Sequence, residues 1–94
     1  MKQYLLGIDI GTSACKIAIF DGDGQVIASG NGDYPVYYPQ AGWAEQNPEE
    51  WWSAVCRAVR ETLEKGKVNP GEIAGIGIDG QSWSAIPMDK NGEV

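Results

Sequence analysis

The chain has 94 residues and can form one domain at most. A chain this short buries only about 60% of its unfolded surface, which argues against a large self-contained catalytic domain. It contains no histidine, which excludes catalysis by imidazole bases and most zinc sites. The 13 acidic and 7 basic side chains give a net charge of −6, which argues against nucleic acid or an anionic membrane surface as a partner.

The beginning of the chain predicts three antiparallel strands joined by tight turns. Residues 4–10 are apolar on both alternating faces, which is typical of a strand buried between two layers. Residues 14–21 repeat this pattern after the connection Gly11-Thr12-Ser13 and predict a β-hairpin. The turn at residues 21–24 leads into residues 25–29 and completes a three-stranded meander. This turn is similar to part of a calcium loop, but the remaining ligands of such a loop are missing.

The segment at residues 34–46 is rich in proline and aromatic residues, which predicts a packed surface loop. Trp52 is expected to pack beneath this loop. The aromatic residues of this region are therefore interpreted as packing residues and not as a platform for stacking bases.

A helix is predicted to begin after this loop. Asn47 is the expected N-cap, Pro48 occupies the first helical position, and Glu50 is expected to complete a capping box. An apolar stripe at helical spacing should be buried against the sheet; it consists of Trp51, Val55, Ala58, Val59 and Leu63. Gly66 should end the helix.

The remaining residues predict two further strands. Residues 73–79 follow the helix, and the order strand, helix, strand predicts that this fourth strand lies parallel to a strand of the meander through a right-handed crossover. Residues 82–88 predict a fifth, weaker strand at an edge, because Pro87 cannot donate to a sheet ladder. Residues 89–94 predict the start of another hairpin.

The predicted fold is therefore α/β, with a mixed sheet of five strands and one helix across one face. The other face is apolar and has no helix to cover it, which predicts an incomplete half-domain that continues beyond Val94. We also expect the uncovered faces of two copies to pair as a homodimer.

The first cysteine, Cys15, and the second, Cys56, form neither a CxxC pair nor a disulfide framework, so both are expected to be reduced. The apolar run at Leu5 is interrupted by Asp9 and reads as neither a signal peptide nor a membrane span. These features predict a cytoplasmic location.

The first candidate site follows the first predicted strand. Asp9 ends this strand, and the turn formed by Gly11, Thr12 and Ser13 comes next. Backbone N–H groups in a glycine-containing turn can surround an anion, the two hydroxyl groups add donors, and Lys16 supplies positive charge. Because Asp9 would repel a phosphate, its expected role is to hold Mg²⁺ through water. The alternative is an ordinary turn, but a buried carboxylate needs a partner, which favours a site.

A second group of polar residues should reach the same edge of the sheet. Asp79 ends the fourth predicted strand as Asp9 ends the first, and parallel strands open their carboxyl ends onto one edge, where open α/β folds bind ligands. Next to it, Gln81, Ser82 and Trp83 offer an amide, a hydroxyl and an indole, which suit a sugar. A buried packing position is the alternative for Trp83.

Residues 75–80 match the G-x-G-x-x-G pattern of dinucleotide-binding loops, but no helical period follows them. Gly75 and Gly77 lie within a predicted strand. They are interpreted as glycines that let the helix approach the sheet.

Three segments of the chain carry a family resemblance: residues 7–13 with Lys16 and Asp21, residues 42–52 with the sequence Gly-Trp-Ala-Glu-Gln-Asn-Pro-Glu-Glu-Trp-Trp, and residues 76–89, which begin Ile-Gly-Ile-Asp-Gly-Gln. Together they resemble the N-terminal end of FGGY carbohydrate kinases. The first segment fits a whole superfamily, whereas the second is far more selective. The resemblance implies the RNase H-like or actin-like ATPase fold that this family shares with hexokinase and the heat-shock ATPases.

The resemblance also implies ATP-dependent transfer of the γ-phosphoryl group to a sugar or polyol hydroxyl. It places Asp9 near Mg²⁺, residues 11–13 and Lys16 at the ATP phosphates, and residues 81–83 in the sugar pocket. Family members are several times longer and take their catalytic aspartate from a second half. Residues 1–94 are therefore expected to be the N-terminal portion of the first kinase domain, without the catalytic base.

The segment after the fourth predicted strand bears on the substrate. Kinases similar to xylulokinase have Gly-Gln-Met-His-Gly where this chain has Gly-Gln-Ser-Trp-Ser at residues 80–84, whereas glycerol kinases have Asn-Gln-Arg-Glu. The glutamine is kept, the histidine is not, and both charges of the glycerol kinase pattern are missing, which favours a ketopentose such as xylulose. The alternative to a kinase is a non-catalytic actin-like module for nucleotide binding or assembly. Residues 46–52 and 81–83 favour the kinase, since such a module has no evident need for them.

Overall fold

The structure is a computed structural model that describes residues 3–82 and 84–94. Its elements are β1 (Tyr4–Ile10), β2 (Ala14–Phe20), β3 (Val26–Asp33), α1 (Pro48–Gly66), a 3₁₀ turn (Pro70–Glu72) and β4 (Ile73–Gly80). β1 and α1 have the predicted bounds, whereas β3 continues past the predicted Ser29 to Asp33. No helix in the described part of the chain combines the length and apolar character needed to cross a bilayer.

The four strands form one mixed sheet in the order β3-β2-β1-β4. β1 pairs with β2 and β2 pairs with β3 in antiparallel fashion, which confirms the predicted meander. β4 lies parallel to β1, as predicted. The chain therefore leaves β3 at one edge of the sheet, passes through α1 and returns as β4 at the other edge, so that the carboxyl ends of β1 and β4 lie side by side.

The predicted fifth strand is wrong for the residues that the structure describes. Ser82 and residues 84–88 are exposed and have no strand partner. Pro87 has no N–H to donate to a ladder, and β4 is the last strand on this side of the four-stranded sheet. The sheet thus has four strands over the described ranges instead of five.

The turns at Asp21 and Asp89 have the same construction. The Asp21 side-chain oxygen Oδ1 accepts hydrogen bonds of 2.9 Å from the backbone N–H groups two and four residues later. Asp89 Oδ1 accepts the same two bonds at 2.8 and 3.0 Å. Both carboxylates therefore stabilise the turns that their sequences predict.

The core lies between α1 and one face of the sheet. Its buried members are Leu6, Cys15, Ile17, Ile19, Tyr34, Ala54, Val55, Ala58 and Val68. The predicted helical stripe is confirmed, because Val55 and Ala58 are buried while Trp51, Val59 and Leu63 pack against the core in partly buried positions. α1 therefore joins the meander through an apolar stripe that the sequence already displays.

Apolar side chains remain exposed outside this layer. Leu5, which faces away from α1, is 52% exposed, so β1 is not buried between two layers of the described residues. Ile76 and Ile78 in β4 are 59% and 70% exposed, because α1 lies over the β2 and β3 side of the sheet. Trp52 is 69% exposed and does not pack beneath the aromatic loop, since one step along a helix turns a side chain by about 100° away from the buried stripe.

Glycines in β3, and not those in β4, let α1 approach the sheet. A Cβ on Gly30 would lie 2.5 Å from Thr62 Oγ1, and a Cβ on Gly32 would lie 3.0 Å from the Ala54 carbonyl oxygen. A Cβ on Gly77 would meet nothing within 4 Å. α1 packs across β2 and β3 and not across β4, so the interpretation of the β4 glycines as helix-packing positions is wrong.

The N-terminus of α1 is capped by Asn47, as predicted, but Glu50 does not have its predicted role. Asn47 Oδ1 accepts a hydrogen bond of 3.0 Å from the Glu49 N–H. Glu50 does not complete a capping box, because its Oε1 accepts a 2.8 Å hydrogen bond from the hydroxyl group of Tyr37 in the preceding loop. A reciprocal capping box forms instead at residues 69–72, around the 3₁₀ turn.

Candidate functional site

Two aspartates end neighbouring strands at the same edge of the sheet. Asp9 is aligned with Asp79 in the parallel pair of β1 and β4, and Lys16 is opposite Asp9 in the antiparallel pair of β1 and β2. Adjacent strands lie about 5 Å apart. All three residues line one depression on the sheet, together with Phe20. The predicted alignment of the two strand ends is confirmed.

Asp9 is exposed, which corrects the expectation of a buried carboxylate. Side chains alternate between the two faces of a strand, and Leu6, which packs under α1, is only 5% exposed. Asp9 belongs to the alternate set of positions on β1, which faces away from α1. Its candidacy therefore rests on its position beside Asp79 and Lys16 and not on the free energy of burying a charge.

The connection between β1 and β2 is a tight turn with little space for a side chain at its first position, Gly11. The Gly11 N–H donates to the Ala14 carbonyl oxygen at 3.0 Å. A Cβ on Gly11 would lie 3.0 Å from the same oxygen, which is closer than side chains normally approach. A larger residue would therefore require the turn to shift by a few tenths of an ångström.

All three carbonyl groups of this turn accept hydrogen bonds from the body of the protein. The Tyr34 hydroxyl donates to the Gly11 carbonyl oxygen at 2.6 Å, and the Tyr34 N–H donates to the Ser13 carbonyl oxygen at 3.2 Å. Between them, Gln46 Nε2 donates to the Thr12 carbonyl oxygen at 2.6 Å. The carbonyl side of the turn is thus held inward.

The inward carbonyl groups orient the N–H groups of the same peptides outward. In a trans peptide the C=O and the following N–H point in opposite directions, and the described chain contains no cis peptide bond. The N–H groups of Thr12 and Ser13 donate to no acceptor among residues 3–82 and 84–94, and both side chains are exposed. Two adjacent N–H groups and two hydroxyl groups therefore form an arrangement that can bind an anion, and Lys16 follows them in β2.

Gln81 connects the end of β4 to this turn. Its N–H donates to the Ile10 carbonyl oxygen at 3.0 Å and extends the pairing with β1. Its side-chain Nε2 donates to Gln46 Oε1 at 3.1 Å and lies 3.5 Å from the Gly11 carbonyl oxygen. The side chain predicted to contact a sugar therefore also contacts the turn.

Of the other residues predicted to contact a sugar, the structure describes Asp79 and Ser82. Asp79 is exposed, and its Oδ1 accepts a 2.9 Å hydrogen bond from the Gly80 N–H. Ser82 follows Gln81 and is exposed. Trp83 lies outside the described residues. Of these three residues, the described part of the chain therefore contributes one carboxylate, that of Asp79, and one hydroxyl group, that of Ser82.

Sequence reasoning did not identify Tyr34 and Gln46 as site residues. Tyr34 is 6% exposed and its ring lies 6.5 Å from that of Trp51. Burial raises the pKa of Tyr34, with smaller contributions from Cys15 and Asp9, so its hydroxyl stays protonated as a donor. Gln46 belongs to the Trp-Ala-Glu-Gln segment that the resemblance marks as selective, and this was the available signal.

The carboxylates of this edge suit a hydrated cation. No group of three or more His, Cys, Asp or Glu side chains in the described ranges could enclose a metal ion. Mg²⁺ keeps several waters and is commonly bound through only one or two carboxylates. The exposed Asp9, beside Asp79, therefore fits Mg²⁺ held through water better than it fits a closed metal site.

Known proteins match almost the whole chain. The model of the FGGY family of carbohydrate kinases, N-terminal domain, matches residues 4–94. The glycerol kinase of Thermococcus gammatolerans is 41% identical over 93 residues, which cover 99% of this chain and 19% of that protein. The crystal structure of a ligand-bound xylulose kinase from Lactobacillus acidophilus gives a TM-score of 0.87 at 31% identity and covers 97% of this chain and 18% of that one. The gluconate kinase from the same organism gives a TM-score of 0.89 at 30% identity, with 99% and 18% covered.

These matches agree with the three segments that carry the resemblance. The chain spans about a fifth of the length of the curated relatives it matches. Its structural neighbours are sugar kinases of the actin-like ATPase fold, which supports that fold for the mixed sheet and helix described above. The chain belongs to the FGGY family of carbohydrate kinases.

Proposed function

We propose that residues 1–94 are the N-terminal portion of the first domain of an ATP-dependent kinase, which transfers the γ-phosphoryl group of ATP to a sugar or polyol hydroxyl. The observation that carries the proposal is the alignment of Asp9 with Asp79 beside the outward N–H groups of Thr12 and Ser13. Phosphoryl transfer depends mainly on positioning and on charge stabilisation. An edge with anion-binding N–H groups, a lysine and two carboxylates supplies both.

Each residue of the phosphate side has a proposed role. Thr12 and Ser13 bind phosphate oxygens through their N–H and hydroxyl groups, and Gly11 permits the turn that exposes them. Lys16 offsets the phosphate charge. Asp9 holds Mg²⁺ through water, and this ion, when bound, neutralises charge on the transferred group.

The acceptor side is proposed to consist of Asp79, Gln81, Ser82 and Trp83. A carboxylate, an amide and a hydroxyl can bind the hydroxyl groups of a sugar, and an indole can cover its C–H surface. The general base is expected from outside residues 1–94, as the family resemblance implies. This chain alone is therefore expected to bind weakly and to turn over nothing.

Two acceptors are supported by different observations. The segment Ser82-Trp83 lacks the Arg-Glu pair of the glycerol kinase pattern, which favours a ketopentose such as xylulose. The identity of 41% to a glycerol kinase favours glycerol as the second candidate. We propose xylulose as the first acceptor to test and glycerol as the second.

A phosphorylation panel on the intact polypeptide that carries this chain tests the proposal. The panel contains xylulose, glycerol, gluconate and ribulose with MgATP, and phosphorylated product is measured by mass spectrometry. Phosphorylation of one acceptor well above the others is the expected result. Nucleotide binding without any product would favour the non-catalytic actin-like module, and the absence of both would contradict the kinase.

A further inference from the structure

The turn between β1 and β2 depends on a side chain that does not itself reach the anion-binding side. We propose that Gln46 is a positioning residue: it keeps the Ser13 N–H directed toward the phosphates of a bound nucleotide. The inference rests on the proposed function and adds to it a residue from the loop before α1.

The hydrogen bonds fix the orientation of the Gln46 amide. Its Nε2 faces the carbonyl oxygens of Thr12 at 2.6 Å and of Pro35 at 3.4 Å, and carbonyl groups only accept, so this end must be the NH₂ group. Its Oε1 is then free to accept from Gln81 Nε2 at 3.1 Å. Gln81 in turn has the Gly11 carbonyl oxygen 3.5 Å from its Nε2. The two amides therefore form one chain of donors directed at the turn.

The central peptide of the turn is the one that Gln46 holds. Tyr34 donates to the carbonyl groups on either side, those of Gly11 and Ser13. Among residues 3–82 and 84–94, Gln46 is the donor to the Thr12 carbonyl oxygen. The flanking peptides would therefore stay in place without Gln46, whereas the central one would lose its only hydrogen bond from the described residues.

Rotation of this peptide would reverse the polarity of the turn. The Thr12 C=O and the Ser13 N–H belong to one rigid planar unit and turn together. If the carbonyl group rotates toward solvent, the N–H points inward and a partially negative oxygen faces the phosphate. Loss of the Gln46 donor thus removes one favourable contact to the anion and permits a repulsive one.

The test compares Gln46→Met with Gln40→Met in the intact polypeptide. Methionine has nearly the size of glutamine but neither donates nor accepts strongly, and Gln40 is an exposed glutamine in the same loop. Gln46→Met should raise the KM for MgATP about tenfold, the effect of one lost hydrogen bond to a charged group. The unfolding midpoint should fall slightly below that of Gln40→Met, because the hydrogen bonds to Thr12 and Gln81 are lost, and the KM for the acceptor should change less than the KM for MgATP.

A spectroscopic measurement reports on the turn without nucleotide. The amide ¹⁵N shift of Ser13 responds to hydrogen bonding at the preceding carbonyl group, and it can be observed in protein labelled with [¹⁵N]serine. Gln46→Met should move this resonance, whereas Gln40→Met should leave it at the wild-type position.

The possible results of these experiments distinguish a failure of the positioning role from a failure of the proposed function. An active wild type in which the two variants share one KM for MgATP, or one Ser13 shift, overturns the positioning role alone. A lower unfolding midpoint for Gln46→Met with an unchanged KM also overturns it, because the residue would then be structural only. A wild type that neither binds MgATP nor phosphorylates any acceptor overturns the proposed function and this inference with it.

Discussion

Asp9 combines exposure with a fixed place between Lys16 and Asp79, so its charge is available to a ligand. The substitution Asp9→Asn preserves size and removes this charge. In the intact polypeptide we expect kcat to fall by on the order of 10²-fold, which corresponds to about 3 kcal/mol of lost transition-state stabilisation. Steady-state kinetics at saturating MgATP measure this effect.

The matched control is Asp23→Asn, which makes the same chemical change in the turn between β2 and β3, at the opposite end of the sheet. It should retain wild-type kcat. Near-normal turnover of Asp9→Asn would remove this carboxylate from the mechanism.

Tyr34 links stability to alkaline pH. Its pKa is raised above the ordinary value of 10.0 by burial first, so the folded state favours the neutral phenol. This contribution to the unfolding free energy is present below about pH 10 and is lost as the pH rises through the folded-state pKa. Tyr34→Phe should lower the unfolding free energy by about 1 kcal/mol at pH 8, because the hydrogen bond to the Gly11 carbonyl oxygen is lost, and should weaken the decline of this free energy above about pH 10.

Urea unfolding followed by circular dichroism at several pH values checks this expectation. Tyr38→Phe is the control, since the Tyr38 side chain is 73% exposed. An alkaline decline of the same steepness in Tyr34→Phe and the wild type would show that another group controls it.

At the scale of the elements, the contact between α1 and β3 depends on a glycine, Gly30, which has no side chain to separate them. Gly30→Ala would bring a Cβ to 2.5 Å from Thr62 Oγ1, so either this hydroxyl must rotate and give up its 2.7 Å hydrogen bond to the Ala58 carbonyl oxygen, or strand and helix must separate. We expect the unfolding free energy of this chain to fall by about 1–3 kcal/mol, as for other overpacked cores. Chemical denaturation measures the change.

Gly77→Ala is the matched control, since it introduces the same methyl group into a strand where nothing lies within 4 Å. It should leave stability unchanged or raise it by up to about 1 kcal/mol, because alanine restricts the unfolded chain more than glycine does. Equal losses in both variants would mean that strand glycines matter here for backbone conformation and not for helix packing.

The elements themselves were largely predictable from local patterns. Alternating apolar residues identified β1 and β2, and the Asn47 cap and apolar stripe identified α1. The extension of β3 was missed because its glycines suggest turns, and only the position of α1 shows that they mark close packing. Glu50 was assigned to a capping box because sequence spacing does not reveal that Tyr37 competes for its carboxylate.

The site was predictable to a similar degree. The alignment of Asp9 with Asp79 follows from parallel pairing, which the order of the elements predicts. The exposure of Asp9 does not follow, because it depends on which face α1 covers. Gln46 acts over a long separation in the chain, and no local period reports such a contact.

At the scale of the whole molecule, the uncovered apolar surface predicts self-association. Leu5 is 52% exposed on the face opposite α1. We expect the isolated 94-residue chain to dimerise at high concentration through this face. Light scattering should give a dimer mass that falls toward the monomer for Leu5→Lys, because burying an unpaired ammonium group is unfavourable.

Tyr38→Lys places the same charge on a side chain in the loop before α1, which is 73% exposed, and should leave the dimer intact. A wild-type chain that stays monomeric at high concentration would contradict the pairing of these faces.

The two neighbours of β1 become available at very different times during synthesis. β2 follows at once, whereas β4 is translated only after the loop and α1. The meander can therefore form near the ribosome while the edge of β1 that pairs with β4 is still free. A free strand edge can pair wrongly with other nascent chains. The rate at which α1 is translated thus sets how long this edge of β1 stays unpaired. Slower elongation across α1 should therefore increase aggregation during expression.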